Sequence, residues 1–124
     1  MKKYNKALIV DDDVDLCLTL KSVLTSTIPD VQFAHTLEMG KKMLQQFTPD
    51  VIFLDNNLPD GQGIHLVREI KNCSPSSIII FITAIDSAKK KAIESGVDVF
   101  LEKPLTYSSV LKALGNLEQI KQQS

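Results

Sequence analysis

The chain has 124 residues, a length that suits one domain able to bury roughly two-thirds of the surface its unfolded form would expose. Apolar residues at 44% and charged residues at 23% are ordinary for a globular protein and exclude a disordered one. A net charge of −1 excludes bulk electrostatic capture of nucleic acid or anionic membrane, and no apolar run approaches the ~20 residues of a membrane span.

Ala7, Leu8, Ile9 and Val10 form a first apolar run, read as a strand, that stops at Asp11-Asp12-Asp13. Leu16, Cys17, Leu20, Val23 and Leu24 follow at helical spacing, with Asp13 as the expected N-cap. Residues 31–34 read as a second strand; Gly40, Met43, Leu44 and Phe47 then share a helical face, and Pro49 stops that helix. Val51-Ile52-Phe53-Leu54 is a continuous apolar run bounded by prolines, the pattern of a strand covered on both faces, and it ends on Asp55. From this segment alone Asp55 is either a loop cap or a reactive group held at the solvated tip of a rigid sheet.

Ile64, Val67 and Ile70 mark a third helix ending near Lys71 and Asn72, and the run from Ile78 to Ile82, the most apolar in the chain, ends at Thr83. A fourth helix is expected at about 87–95, thin in apolar residues and stopped by Gly96. Residues 97–101 read as a fifth strand leading into Glu102-Lys103-Pro104. Val110, Leu111, Leu114, Leu117 and Ile120 then stripe a last helix that Thr106 is suited to cap. A single domain over 1–124 is expected, with its core at about 6–120 and a short tail at 121–124. Cys17 and Cys73 have neither metal-ligand nor redox spacing and read as reduced thiols, Cys17 as packing; His35 and His65 read as surface residues. The run Lys89-Lys90-Lys91 reads as a solvated helix face, with partner docking as the alternative.

Strict alternation of strand and helix implies a parallel sheet with helices on both faces, and ligands of such open sheets bind beyond the carboxyl ends of the strands. Asp11, Asp12, Asp55, Thr83 and Lys103 are all expected on that one rim. Three carboxylates together repel unless a cation joins them, and hard oxygen ligands suit Mg²⁺. A lysine and a hydroxyl on neighbouring strands supply the fixed charge and the donor that a phosphoryl group needs. Together they describe a site where an aspartate can attack phosphorus.

The motifs Leu8-Ile9-Val10-Asp11-Asp12, Leu54-Asp55-Asn56-Asn57-Leu58-Pro59 with Gly63, Ile82-Thr83-Ala84 and Leu101-Glu102-Lys103-Pro104 closely resemble the receiver domain of bacterial two-component response regulators. The resemblance runs from about Lys6 to Ile120. It implies an α/β fold of the flavodoxin-like (βα)5 type, a doubly wound parallel five-stranded sheet of strand order 2-1-3-4-5. It implies that Asp55 is the phosphoacceptor, that Asp12 binds Mg²⁺ directly while Asp11 holds the metal or its waters, and that the backbone carbonyl of Asn57 completes the protein ligands. Lys103 would pair with the acceptor and Thr83 would donate its hydroxyl to the phosphate. Phe100 matches the family's switch aromatic, although an aromatic on a half-buried strand is also ordinary core. The Lys103–Pro104 peptide is often cis in the family.

The implied partners are a sensor histidine kinase or phosphotransfer protein and an output partner or covalently linked effector domain. Direct nucleic-acid or membrane binding is not implied; a phosphorylation-dependent dimer is allowed, and the cytoplasm is the expected location. Whether the chain stands alone or begins a longer regulator stays open. Ile85, two residues beyond Thr83, is expected to shield the phosphorus from water. Two alternatives are a metal-dependent aspartyl-phosphate phosphatase and a flavodoxin-like phosphate binder. The first lacks a second aspartate at position 57, and the second lacks a loop rich in Gly, Ser and Thr after strand 1.

Overall fold

The computed structural model describes residues 4–84 and 96–123, with the backbone alone for 116–123. The helix expected at 87–95, with its lysine run, and Ile85 lie outside the described residues. The elements are β1 (Lys6–Val10), α1 (Val14–Leu24), β2 (Asp30–Ala34), α2 (Leu37–Phe47), β3 (Val51–Asp55), β4 (Asn57–Leu58), β5 (Gly61–Gln62), α3 (Ile64–Cys73), β6 (Ile78–Thr83), β7 (Val99–Glu102) and α4 (Tyr107–Gln123). Five strands form one parallel sheet in the order β2-β1-β3-β6-β7. This is the expected 2-1-3-4-5 order, because β4 and β5 are a separate two-residue hairpin in the loop after β3.

The uninterrupted apolar runs of β3 and β6 follow from burial on both faces. Successive side chains point to opposite sides, so Val51, Phe53, Ile78, Ile80 and Ile82 join one core, while Ile52, Leu54, Ile79 and Phe81 join the other. The first core is closed by Cys17, Leu20 and Leu24 of α1 and by Val110 and Ala113 of α4. The second is closed by Leu44 of α2 and by Leu66, Val67 and Ile70 of α3.

Helix starts follow local chemistry. Asp13 accepts the Leu16 N–H at 3.1 Å, Thr36 accepts the Met39 N–H at 3.1 Å, and Thr106 accepts the Ser109 N–H at 3.0 Å, each leaving one fewer unpaired donor in a first turn. Helix α2 ends on Thr48 in the left-handed conformation at φ 46°, ahead of Pro49. Strand β7 begins at Val99, two residues later than expected. Asp98 binds Ile79 twice instead, donating its N–H to the carbonyl at 3.0 Å and accepting the Ile79 N–H on its carboxylate at 2.9 Å. No helix among the described residues is long and apolar enough to cross a membrane.

The loop after β3 is closed at its base by three bonds. The Asn56 N–H donates to Ile82 O at 3.0 Å, the Gly63 N–H donates to Asn56 O at 2.8 Å, and the Ile64 N–H donates to Asn56 Oδ1 at 3.3 Å. Gly63 is required there because a Cβ at this position would run into the Asp55 carbonyl oxygen, which is backbone and cannot swing aside. Gly63→Ala is therefore expected to cost at least about 2 kcal/mol in urea unfolding. A loss below about 0.5 kcal/mol would mean that the loop shifts freely to admit the methyl group.

Candidate functional site

Parallel strands bring their carboxyl ends to one side, and the ladders set the register there: Val10 pairs with Leu54, Asp55 with Ile82, and Thr83 with Glu102. Asp11 follows β1, held by its N–H donating to Ala34 O at 2.9 Å. Asp55 ends β3, Thr83 ends β6, and Lys103 follows β7 with its N–H donating to Thr83 O at 3.0 Å. All five rim residues thus arrive at the expected edge. Asp11, Asp12 and Asp55 each present an oxygen within 4.8 Å of the others.

Burial departs from the sequence expectation of a solvated tip. Asp55 is 1% exposed and Asp11 fully buried, while Asp12 is open to solvent. Lys103 Nζ reaches both buried acids, 3.1 Å from Asp55 Oδ1 and 3.4 Å from Asp11 Oδ2, as an ion pair without hydrogen-bond geometry. Asp11 Oδ1 accepts the Asp13 N–H at 2.9 Å. Asp11 Oδ2 and both carboxylate oxygens of Asp55 have no hydrogen-bond partner among the described residues.

Loss of solvation, reinforced by the Asp11 charge, pushes the Asp55 carboxyl up to about 6, against the opposing pull of Lys103 and the Asn57 N–H. Burial also raises Asp11, outweighing the Asp13 N–H and Lys103. Burial acts to lower the Lys103 ammonium, but Asp55 and Asp11 together outweigh it and raise that pKa. Two buried acids thus share one ammonium and retain unsatisfied hard oxygens, a donor set that fits a divalent cation.

Thr83 is buried, and the Asn57 side chain is exposed at the start of β4. Phe100 is half-buried against the α2 and α3 side of the sheet, its ring centroid 6.1 Å from that of Phe81. The Lys103–Pro104 peptide is cis. Cys17 packs as expected: its thiol is buried 3.5 Å from Asp11 O, and burial followed by the surrounding acids pushes its pKa up to about 12, so it stays an unreactive thiol.

Sequence reading missed two contributors. His35 is exposed as expected, yet its Nδ1 lies 2.8 Å from Asp11 O and donates to it, bracing the backbone of a buried acid. A signal was available in the register, since Val10 pairs with Ala34 and the next residue of each strand is Asp11 and His35. Asn56, buried at 6%, holds the loop base through both its backbone carbonyl and its side-chain oxygen.

The profile of the response regulator receiver domain matches residues 7–115. The chain belongs to that family. Among curated relatives, the receiver domain is 31% identical over 119 residues to the transcriptional regulatory protein DpiA of Escherichia coli K12, covering 92% of this chain and 52% of DpiA. It is 33% identical over 121 residues to the sensory transduction protein LytR of Staphylococcus epidermidis, covering 96% of this chain and 48% of LytR. The receiver domain therefore spans about half the length of these relatives. Among solved structures it resembles the beryllofluoride-activated NtrC4 receiver domain dimer, with a TM-score of 0.80 and 31% identity over 90% of this chain and 93% of that one. It also resembles the BeF3-activated DrrB receiver domain, with a TM-score of 0.81 and 26% identity over 95% and 99% of the two chains. A receiver domain is a signalling module, and membership of the family leaves the phosphatase and flavodoxin-like alternatives unfavoured.

The receiver's buried acids imply a specific pH dependence of stability. The Asp55 carboxyl titrates at about 6 in the fold against 3.8 ordinarily, so its favourable contribution is complete below pH ~4 and is lost as pH rises through about 6. The Asp11 displacement has the same sign. A displacement of the Asp55 size is worth roughly 3 kcal/mol at most. Asp55→Asn is expected to exceed wild type by about 1–3 kcal/mol at pH ~7.5 in chelator, and to lose that advantage near pH ~4. Urea unfolding at the two pH values checks this; an Asp55→Asn protein no more stable at the higher pH contradicts it.

Proposed function

We propose that Asp55 accepts a phosphoryl group from a histidine kinase or phosphotransfer protein in a Mg²⁺-dependent reaction, and that the acyl phosphate switches an output partner or effector domain. The observation that carries this reading is Lys103 Nζ lying 3.1 Å from an Asp55 carboxylate whose oxygens are otherwise unpartnered among the described residues. A buried, poorly solvated carboxylate is a stronger nucleophile than a hydrated one, and the ammonium beside it supplies fixed positive charge for a phosphoryl group in transit.

In the proposed transfer an Asp55 oxygen attacks phosphorus, the P–N bond of the donor phosphohistidine breaks, and its electron pair returns to the imidazole, which takes up a proton from solvent. Lys103 then pairs with phosphoryl oxygens rather than with the free carboxylate, and Thr83 offers its hydroxyl. Asp11, Asp12, Asp55 and the Asn57 carbonyl would hold Mg²⁺, which when bound neutralises charge on the phosphoryl oxygens. Autophosphorylation from small donors and self-dephosphorylation belong to the same reading. Phe100, half-buried on the edge strand, is the side chain we assign to the moving element.

The donor surface is assigned to α1 and the start of α4. Val14, Leu18, Tyr107 and Leu111 are large apolar side chains left exposed there, and a cavity of about 640 Å³ between the two helices includes Lys103 in its lining. The acids Asp13 and Asp15 beside it call for a basic partner face. The output partner or effector domain, a phosphorylation-dependent dimer and a cytoplasmic location complete the proposal. The dimeric assembly of the beryllofluoride-activated NtrC4 receiver supports the dimer.

Incubation with acetyl phosphate and Mg²⁺ is expected to add one base-labile phosphoryl group to wild type and none to Asp55→Ala. Asp12→Ala is expected to weaken Mg²⁺ binding by about tenfold or more, read by calorimetric titration. Full labelling of Asp55→Ala by mass spectrometry would remove Asp55 as the acceptor. Unchanged metal affinity in Asp12→Ala would remove Asp12 from the ligands.

A further inference from the structure

The hairpin that carries Asn57 is too short to hold its own shape. Strands β4 and β5 are two residues each, pairing Asn57 with Gln62 and Leu58 with Gly61 across a Pro59-Asp60 turn, and an isolated hairpin of that size is marginal in water. Its base is fixed by the Asn56 and Gly63 bonds, and Leu58 is buried in the α2 and α3 core. Its tip is fixed by a residue distant in sequence from what it holds. Asp60 Oδ1 accepts the Leu37 N–H at 2.8 Å and Oδ2 accepts the Glu38 N–H at 3.0 Å.

These two N–H groups open α2 and have no partner within the helix. The helix's own cap, Thr36, serves Met39 instead, so α2 has two caps with separate jobs. The two hydrogen bonds hold the Asp60 carboxyl below the usual carboxylate range. Gly61, at φ +148°, lets the tip lie close to the helix: a Cβ there would stand 2.8 Å from Leu37 Cδ1. Helix α2 is itself seated tightly, since a Cβ on Gly40 would meet Leu66 at 3.3 Å and Val10 at 3.4 Å. The hairpin tip is therefore fastened to an element that is locked against β1.

We propose that Asp60 is a positioning residue for the metal site: its carboxylate clamps the hairpin to α2 and thereby fixes Asn57, the residue whose carbonyl completes the Mg²⁺ ligands. The inference rests on the metal reading given under Proposed function. It adds a residue that touches neither metal nor phosphoryl group and acts through the backbone of the loop.

Calorimetric titration of the whole chain with MgCl2 tests it, with wild type, Asp60→Ala, Asp60→Asn and Thr36→Ala compared at one pH. Asp60→Ala is expected to raise the Mg²⁺ dissociation constant by about tenfold, the scale of lost outer-shell support. Asp60→Asn keeps one acceptor oxygen and is expected to fall between it and wild type. Thr36→Ala removes the other cap of the same helix, so it lowers the melting temperature while leaving Mg²⁺ affinity within about twofold of wild type. Amide hydrogen exchange at 57–62 is expected to quicken in Asp60→Ala and not in Thr36→Ala. Unchanged affinity in Asp60→Ala overturns the proposal, as does an equal loss in Thr36→Ala, which would trace the effect to helix stability. A wild-type protein that binds no Mg²⁺ overturns the metal reading itself, and the positioning role with it.

Discussion

Burying two carboxylates side by side costs several kcal/mol per ion even after relaxation, and among the described residues Lys103 is the cation that reaches both. One ammonium between Asp11 and Asp55 leaves the group short of positive charge, so the end of the sheet is held in an unfavourable electrostatic state by everything beneath it. What lies beneath is the doubly buried pair β3 and β6, with five and six consecutive buried residues. Their burial on both faces supplies the stability against which the strain of the acids is set. A weaker centre, such as an amphipathic strand open to solvent on one side, would let the acids separate or hydrate. The electrostatic state of Asp55 and the depth of the core are in this sense one property.

Much of this was legible in the chain. Continuous apolar runs announced β3 and β6 because strands covered on both faces have no polar alternation to maintain. The site was legible because parallel strands deliver their carboxyl ends to a common edge, so that Asp11, Asp55, Thr83 and Lys103, far apart in sequence, had to meet. Burial of the acids was not legible, since Asp55 is closed off by Lys103 and by the Asn56–Gly63 loop, and no property of its own neighbours predicts that closure. The β4–β5 hairpin was missed for a different reason: two residues are too few to show a period. Pro59-Asp60-Gly61 reads locally as a turn, while the partners of Asp60 lie more than twenty residues earlier and depend on tertiary placement. His35 is intermediate, visible once the β1–β2 register is known and invisible before.

The relation to longer regulators gives these details their setting. The chain spans about half the length of the curated relatives it matches. Phe100 is neither locked in the core nor free in solvent. It pairs with Phe81 in the ladder and leans on one side of the sheet, so a modest change in space beside it alters its contacts.

The sheet also works as a partition. Side chains of α1 and α4 meet one face, whereas those of α2, α3 and Leu58 meet the other, and among the described residues the two cores share no side chain. The apolar surface assigned to the phosphodonor stands on the first side, while the clamp through Asp60 and the seating of Asn57 belong to the second. Substitutions on opposite sides of a rigid layer tend to add independently. Changes to the exterior of α1 and α4 are therefore expected to leave the packing around Leu58 and the seating of Asn57 undisturbed, because the sheet stands between them.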